Sequence, residues 1–241
     1  FSELRASGRM PKSKTVKGSF LEACRDKRAW VLFLIYGACF GIELTFNNVA
    51  ALYFLDYFEY FQNMEPLRAV GAAGMIAGLF GLMNIFARTL GGYFGDKFGE
   101  KFGLSGRTKW LFIALFCEGL ALMLFAQTNT LVLAIPTLLL FSLFVQMSEG
   151  ATFSVVPFIN QRALGSVAGI VGAGGNSGAV AAGFLFKSQA ITWPTALFIL
   201  GALVTLCSFL SFLVTFSEST EREFATAATS EPSGQPIPVA G

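Results

Sequence analysis

Histidine is absent from the chain, and charge is scarce. Asp, Glu, Lys and Arg make up 13% of its 241 residues, against roughly 25% in soluble domains. Without histidine the chain lacks the commonest metal ligand and the commonest proton switch near neutral pH. The four cysteines (Cys24, Cys39, Cys117 and Cys207) follow no metal or redox spacing. Three of them lie in apolar stretches and read as small buried hydrophobes. No nucleophile stands at a useful distance from a base, which argues against an enzyme. We therefore expect no catalytic residue, no metal and no cofactor. The start of the chain is polar and basic, with no short apolar core before a small-residue cleavage site, so it does not read as a signal peptide. It begins with Phe rather than Met, which leads us to expect a fragment or a processed product.

What is present is hydrophobic. Of all residues 54% are apolar, with 27 Phe and 26 Gly. Phe suits lipid-facing surface, and Gly lets helix backbones approach inside a membrane bundle. A hydrocarbon core about 30 Å thick needs about 20 apolar residues per helix. Six stretches qualify: Trp30–Phe54, Val70–Phe94, Trp110–Ala126, Leu131–Phe158, Gly165–Phe186 and Ala196–Phe216. The third is short and extends into its flanks. The fourth holds Pro136 and Pro157, which membrane helices tolerate. Backbone hydrogen bonds in lipid must be met within each segment, so the expected fold is all-α, a polytopic six-helix bundle.

The connections alternate in charge. Arg5, Arg9, Lys12, Lys14, Lys17, Arg25, Lys27 and Arg28 precede the first span. Lys97, Lys101, Arg107 and Lys109 follow the second, and Arg162 follows the fourth. The positive-inside rule then predicts cytoplasmic termini. It also explains the basic cluster without nucleic acid. The Ser, Thr, Ala, Glu and Pro-rich residues 217–241 read as a disordered tail.

Polar residues fall in stripes. Tyr36, Phe40, Glu43 and Asn47 step by four, three and four along the first span, one helical face. Gly74, Gly81, Asn84, Arg88, Gly92 and Gly95 share a face of the second. Ser142, Gln146, Glu149 and Phe153 do so on the fourth. Three such stripes imply an aqueous path or an internal polar network. Arg88 is the most informative residue, because a central arginine costs about 2.5–3.5 kcal/mol to insert. Either it forms a structural ion pair with Glu43 or Glu149, or its planar fork binds a planar oxyanion such as nitrate or nitrite. Glu43, Glu118 and Glu149 are intramembrane carboxylates that could carry a coupling proton or serve as permanent partners of a cation.

The fifth span reads Gly165-Ser-Val-Ala-Gly-Ile-Val-Gly-Ala-Gly-Gly-Asn-Ser-Gly178. Its surface has almost no side-chain bulk, which suits either a close helix crossing or contact of a small substrate with the backbone. No strand precedes it and no Lys-Ser/Thr follows, so it is not a phosphate loop. The exit of the second span, Gly92-Tyr-Phe-Gly-Asp96-Lys97-Phe-Gly99-Glu-Lys101, puts a carboxylate and cations at an expected cytoplasmic turn. It is either a conformational latch or a solvated loop.

That segment resembles the loop motif of the major facilitator superfamily. Gly172-Ala-Gly-Gly-Asn176-Ser-Gly178 resembles the signature of the nitrate/nitrite porter branch, as do Phe153-Ser-Val-Val-Pro157-Phe and Ala87-Arg88-Thr-Leu-Gly91-Gly92. The likeness is strongest to eukaryotic high-affinity nitrate transporters. It implies that the six spans at 30–216 correspond to helices 7 to 12 of a twelve-helix fold, with 1–29 the end of a central cytoplasmic loop. It further implies that Arg88 is one of two substrate arginines and that Tyr36 lines the same pocket. Asn176, with Gly172 and Gly175, would form the signature helix beside the substrate. The implied partners are nitrate or nitrite, protons, membrane lipid and a missing N-terminal half. The rival readings are a major facilitator transporter for another small anion or organic solute, and a channel.

Overall fold

The computed structural model describes residues 19–187, 190–218, 220–221 and 224. Six helices are long and apolar enough to cross a membrane. They are α1 (Lys27–Tyr57), α2 (Pro66–Phe102), α3 (Leu104–Ala126), α4 (Leu131–Phe158), α5 (Leu164–Lys187) and α6 (Trp193–Leu213). No strand occurs among the described residues. The all-α, six-helix expectation holds, and the architecture is that of half a major facilitator fold.

Glycine decides which helices pair. A Cβ on Gly41 would lie 2.8 Å from the Cα of Gly178, and one on Gly37 3.0 Å from the carbonyl of Gly174. The backbones of α1 and α5 are thus in direct contact. Gly91 on α2 lies against the Met147 backbone of α4, and Gly150 on α4 against the backbone of Arg88 and Gly92. Gly119 on α3 and Gly201 on α6 make a third such crossing. In a membrane, where burial from water does not drive helix association, close approach of this kind supplies dispersion contact that larger residues would prevent. Phe46, Phe80, Phe125 and Phe141 join α1, α2, α3 and α4 in one buried aromatic cluster, with Phe46 and Phe80 centroids 4.7 Å apart.

Two sequence expectations are corrected. The second span is not one regular helix. It passes through a 3-10 turn at Met83–Ile85, and Phe86 leaves helical geometry at φ −128°. This break divides the expected common face. Gly74 and Gly81 have nothing within 4 Å, whereas Gly95 lies against Ser154 and Trp110. The Gly92–Lys101 segment, expected as a turn, is helical through Phe102, and the turn comes at Gly103, where φ is +71°. Gly91, Gly95 and Gly99 recur every fourth residue and are buried. The packing they permit offsets their poor helix propensity, about 1 kcal/mol each. The third span accordingly starts at Leu104 and takes in Arg107 and Lys109.

Before α1 lies a short helix, Ser19–Arg25. Asp26 caps α1, accepting from the Arg28 N–H at 2.9 Å and from the Arg28 side chain at 2.7 Å. Arg28 also donates to the carbonyls of Ile159 (2.8 Å) and Thr215 (3.3 Å), joining the ends of α1, α4 and α6. Burial pushes the Asp26 carboxyl up, but its hydrogen bonds and the Arg28 charge together bring it below the ordinary value. A depressed carboxyl stabilises at neutral pH, and that stability is lost as pH falls through the lowered value. Asp26→Ala should therefore lower stability by about 1 kcal/mol, read as a drop in Tm that shrinks in acid. An equal drop at every pH would show that the charge plays no part.

Of the expected end segments, residues 1–18 and most of 217–241 lie outside the described residues.

Candidate functional site

Three helices converge on Glu43. On α1, Tyr36, Phe40 and Glu43 share a face because they are separated by one turn each. On α2, Asn84 lies in the 3-10 break and Arg88 one turn beyond it. On α4, Gln146 and Glu149 are both fully buried. The Glu43 carboxylate accepts from Gln146 Nε2 at 2.9 Å, Asn84 Nδ2 at 3.3 Å and Arg88 Nη2 at 3.1 Å. Arg88 Nη2 also pairs with Glu149 Oε2. Both partners foreseen for Arg88 are thus engaged at once.

Arg88 is not used up by them. Both contacts run through Nη2, and Nε is buried with no hydrogen-bond partner. The side chain is 37% exposed, while its two carboxylates are buried. Part of the Arg88 side chain is therefore open, while the two carboxylates that hold it are not. The Phe40 ring lies 5.7 Å from the guanidinium carbon, close enough for a cation–π contact. Phe40 stacks on Tyr36 at 5.1 Å, and Tyr36 meets Phe153 of α4 edge-on at the same distance. Gly175 of α5 underlies both rings of α1: a Cβ there would overlap Phe40 and come within 3.1 Å of Tyr36.

Tyr36, Glu43, Asn84, Arg88, Gln146, Glu149 and Gly175 thus form one continuous site. Three of the expected residues do not join it. Asn47 is exposed one turn beyond Glu43. Asn176 is exposed, and its amide reaches only the Gly172 carbonyl at 3.4 Å. Gly172 has nothing within 4 Å. The open glycine of α5 and its asparagine therefore lie on an uncovered part of that helix rather than against the aromatic rings that Gly175 supports.

The charged motif at the end of α2 has a partner that the sequence reading did not single out. Asp96 Oδ1 accepts from Arg107 Nη1 at 2.5 Å, and the same nitrogen donates to the Ser154 carbonyl at 3.1 Å. Gly99 gives Arg107 room to lie across α2. Lys97 pairs with Glu100 at 2.8 Å, and Lys101 lies over the Phe102 ring at 5.2 Å. The signal for Arg107 was its position four residues after Gly103, which puts its side chain in the first turn of α3 rather than in a loop.

The chain is similar to proteins of known name. It is 40% identical over 195 residues to the high affinity nitrate transporter 2.5 of Arabidopsis thaliana, covering 80% of this chain and 37% of that protein. The high-affinity nitrate transporter 2.3 of Oryza sativa subsp. japonica is 33% identical over 221 residues, 90% of this chain and 41% of its own length. The chain belongs to this nitrate transporter family. A cyanobacterial relative, the nitrate/nitrite transporter NrtP of Picosynechococcus, is 36% identical over 155 residues, 63% of this chain and 26% of its own. No protein-family model matches the chain, and no solved structure gives a significant match. The chain thus spans well under half the length of these relatives, aligning with their C-terminal half. The relatives are transport proteins and not enzymes. Six apolar spans and this kinship make the chain an integral, multi-pass membrane protein.

Proposed function

We propose that these six helices are the C-terminal half of a secondary transporter that moves nitrate, and secondarily nitrite, by alternating access with protons. The observation that carries this reading is the partly open guanidinium of Arg88: one nitrogen is held by Glu43 and Glu149, and the side chain remains 37% exposed. A planar fork of N–H groups suits a planar oxyanion. Glu43 and Glu149 fix the fork's orientation, and Phe40 covers one of its faces. Tyr36, Gly172, Gly175 and Asn176 would border the substrate path, with the opposing wall supplied by the missing N-terminal half.

Charge balance supplies the coupling. Two carboxylates against one guanidinium leave one negative charge too many for an anion to enter. A proton on Glu149 or Glu43 removes that charge, so nitrate and proton favour each other's binding. Asn84 and Gln146 hold Glu43 by hydrogen bonds in either state, and Asn47 would lie along the water path leading to it. The Asp96–Arg107 pair, with Gly92, Lys97, Gly99 and Lys101, would act as the latch at the cytoplasmic end. By the distribution of cations, both termini would lie in the cytoplasm, and the membrane would be the plasma membrane. Residues 1–29 would be the end of a central loop, 30–216 the membrane domain, and 217–241 a cytoplasmic tail.

The test is labelled nitrate uptake by the full polypeptide in a host without its own uptake, at neutral and mildly acid external pH. Uptake should rise in acid. In Glu149→Gln, one negative charge is removed permanently, and the rise should disappear while nitrate binding persists. Nitrite and chlorate should compete, and larger organic anions should not. A correctly inserted parent that takes up no nitrate would end the substrate assignment. Glu149→Gln uptake that still rises in acid would move the proton to another group.

A further inference from the structure

The end of the bundle where α2 meets α3 holds a second cluster, apart from Arg88 and its carboxylates. Helix α3 begins immediately after Gly103, a residue with no side chain to cap it. The first N–H groups of a helix have no partner within it. Here a residue far along the chain takes them. Glu221 accepts from the Leu104 N–H at 2.9 Å and from the Ser105 N–H at 3.1 Å, one with each carboxylate oxygen. The absence of a side chain at Gly103 is what admits it, because a Cβ there would run into the Glu221 carboxylate. The carboxylate also sits at the positive end of the α3 dipole.

Three residues further on, Phe224 meets Phe158 of α4 edge-on, centroids 5.4 Å apart. The Arg107 guanidinium lies against both rings, 4.7 Å from Phe158 and 5.5 Å from Phe224. This is the arginine that pairs with Asp96 and the Ser154 carbonyl, and it is only 8% exposed. Asp96 itself is exposed. The aromatic rings therefore do for Arg107 what the helices do not do for Asp96: they keep water off the cation and so strengthen its pairing.

We propose that the start of α3, together with the Arg107 cage, is a binding site for an acidic and an aromatic side chain, occupied in this chain by its own Glu221 and Phe224. When docked, these two residues link the chain after α6 to the end of α2, the start of α3 and the end of α4. They hold Arg107 on Asp96, and their release exposes the guanidinium and weakens that pair. The proposal concerns the bundle's own contacts and stands apart from the identity of the transported ion.

The experiment is amide hydrogen exchange on the full polypeptide in lipid nanodiscs, comparing the parent with Glu221→Ala, Glu221→Gln, Phe224→Ala and Phe224→Trp. The Leu104 and Ser105 amides should be protected in the parent and exchange at least about fivefold faster in Glu221→Ala, the effect of losing a cap of ordinary strength. Glu221→Gln keeps an acceptor without the charge and should fall between the two. Phe224→Ala should act in the same direction, and Phe224→Trp, which keeps a ring over Arg107, should restore protection. Exchange beyond the first turn of α3, and in the other spanning helices, should be unchanged. Equal protection in the parent and Glu221→Ala would overturn the proposal. So would faster exchange spread over all six helices, because that reports a loosened bundle rather than release of Glu221 and Phe224.

Discussion

Arg88→Lys is expected to reduce nitrate uptake by about tenfold or more, with the protein made and inserted normally. Lysine keeps the charge set against Glu43 and Glu149, so the bundle has no new buried charge to accommodate. What is lost is the fork. An ammonium drawn between the two carboxylates has one nitrogen for every contact, whereas Arg88 engages both through Nη2 and keeps the rest of its fork. Losing one charge-assisted hydrogen bond of about 1.5 kcal/mol corresponds to about tenfold in rate. The loss should appear in the KM for nitrate. Arg88→Ala should remove uptake altogether, but it is the less diagnostic variant. It leaves two buried carboxylates without a cation, and breaking a buried pair costs about 3–5 kcal/mol. An Arg88→Lys transporter with an unchanged nitrate KM would show that charge alone suffices and that the fork has no role.

The second large effect concerns glycine. Gly178→Ala and Gly41→Ala should each destabilise the bundle by about 1–3 kcal/mol, as overpacking does. The added methyl in either case meets backbone, which cannot rotate away. On Gly178 it meets the Cα of Gly37 at 2.6 Å, and on Gly41 the Cα of Gly178 at 2.8 Å. Prising α1 from α5 also lifts Tyr36 and Phe40 off Gly175, so the site should fail together with the fold. Gly172→Ala and Gly165→Ala provide the contrast. Neither has anything within 4 Å, and alanine favours a helix by about 1 kcal/mol over glycine. The folded amount and Tm should hold or rise. Size-exclusion profiles and thermal unfolding of the four variants in detergent would decide. Normal folding of Gly178→Ala would mean that α1 and α5 are not in backbone contact. A Gly172→Ala protein that folds normally but no longer takes up nitrate would show that this open face meets substrate or the other half of the transporter.

The same contrast shows what can be read from a sequence of this kind. The sequence of α5 does not by itself reveal which of its glycines touch another helix. Gly165, Gly172, Gly174 and Gly178 are chemically identical, and only the rotation of α5 against α1 makes Gly174 and Gly178 contacts and leaves Gly165 and Gly172 open. Asn176 drew attention as the one amide in the run, yet it lies on the outward side. Tyr36, Glu43, Arg88 and Glu149 were legible for a different reason. Polar and aromatic groups at helical spacing within lipid-compatible stretches must face one another, because lipid offers them nothing else to bond.

The sequence by itself determined that the chain spans a membrane six times as helices, since scarce charge, long apolar runs and the need to satisfy every backbone group leave few alternatives. It also pointed to Glu43 and Glu149 as candidate partners of Arg88, because an intramembrane arginine needs an anionic partner. Tertiary structure decided the rest. It chose both Glu43 and Glu149 as partners rather than one, because α1 and α4 reach Arg88 from two sides. It carried α2 on as helix through the Gly92–Lys101 motif, because Gly91, Gly95 and Gly99 fit against α3 and α4. It also brought Glu221 to the start of α3, more than a hundred residues away in the chain. Such choices depend on how helices rotate and approach one another, and pairwise distance across the bundle is not encoded in the spacing along any one helix.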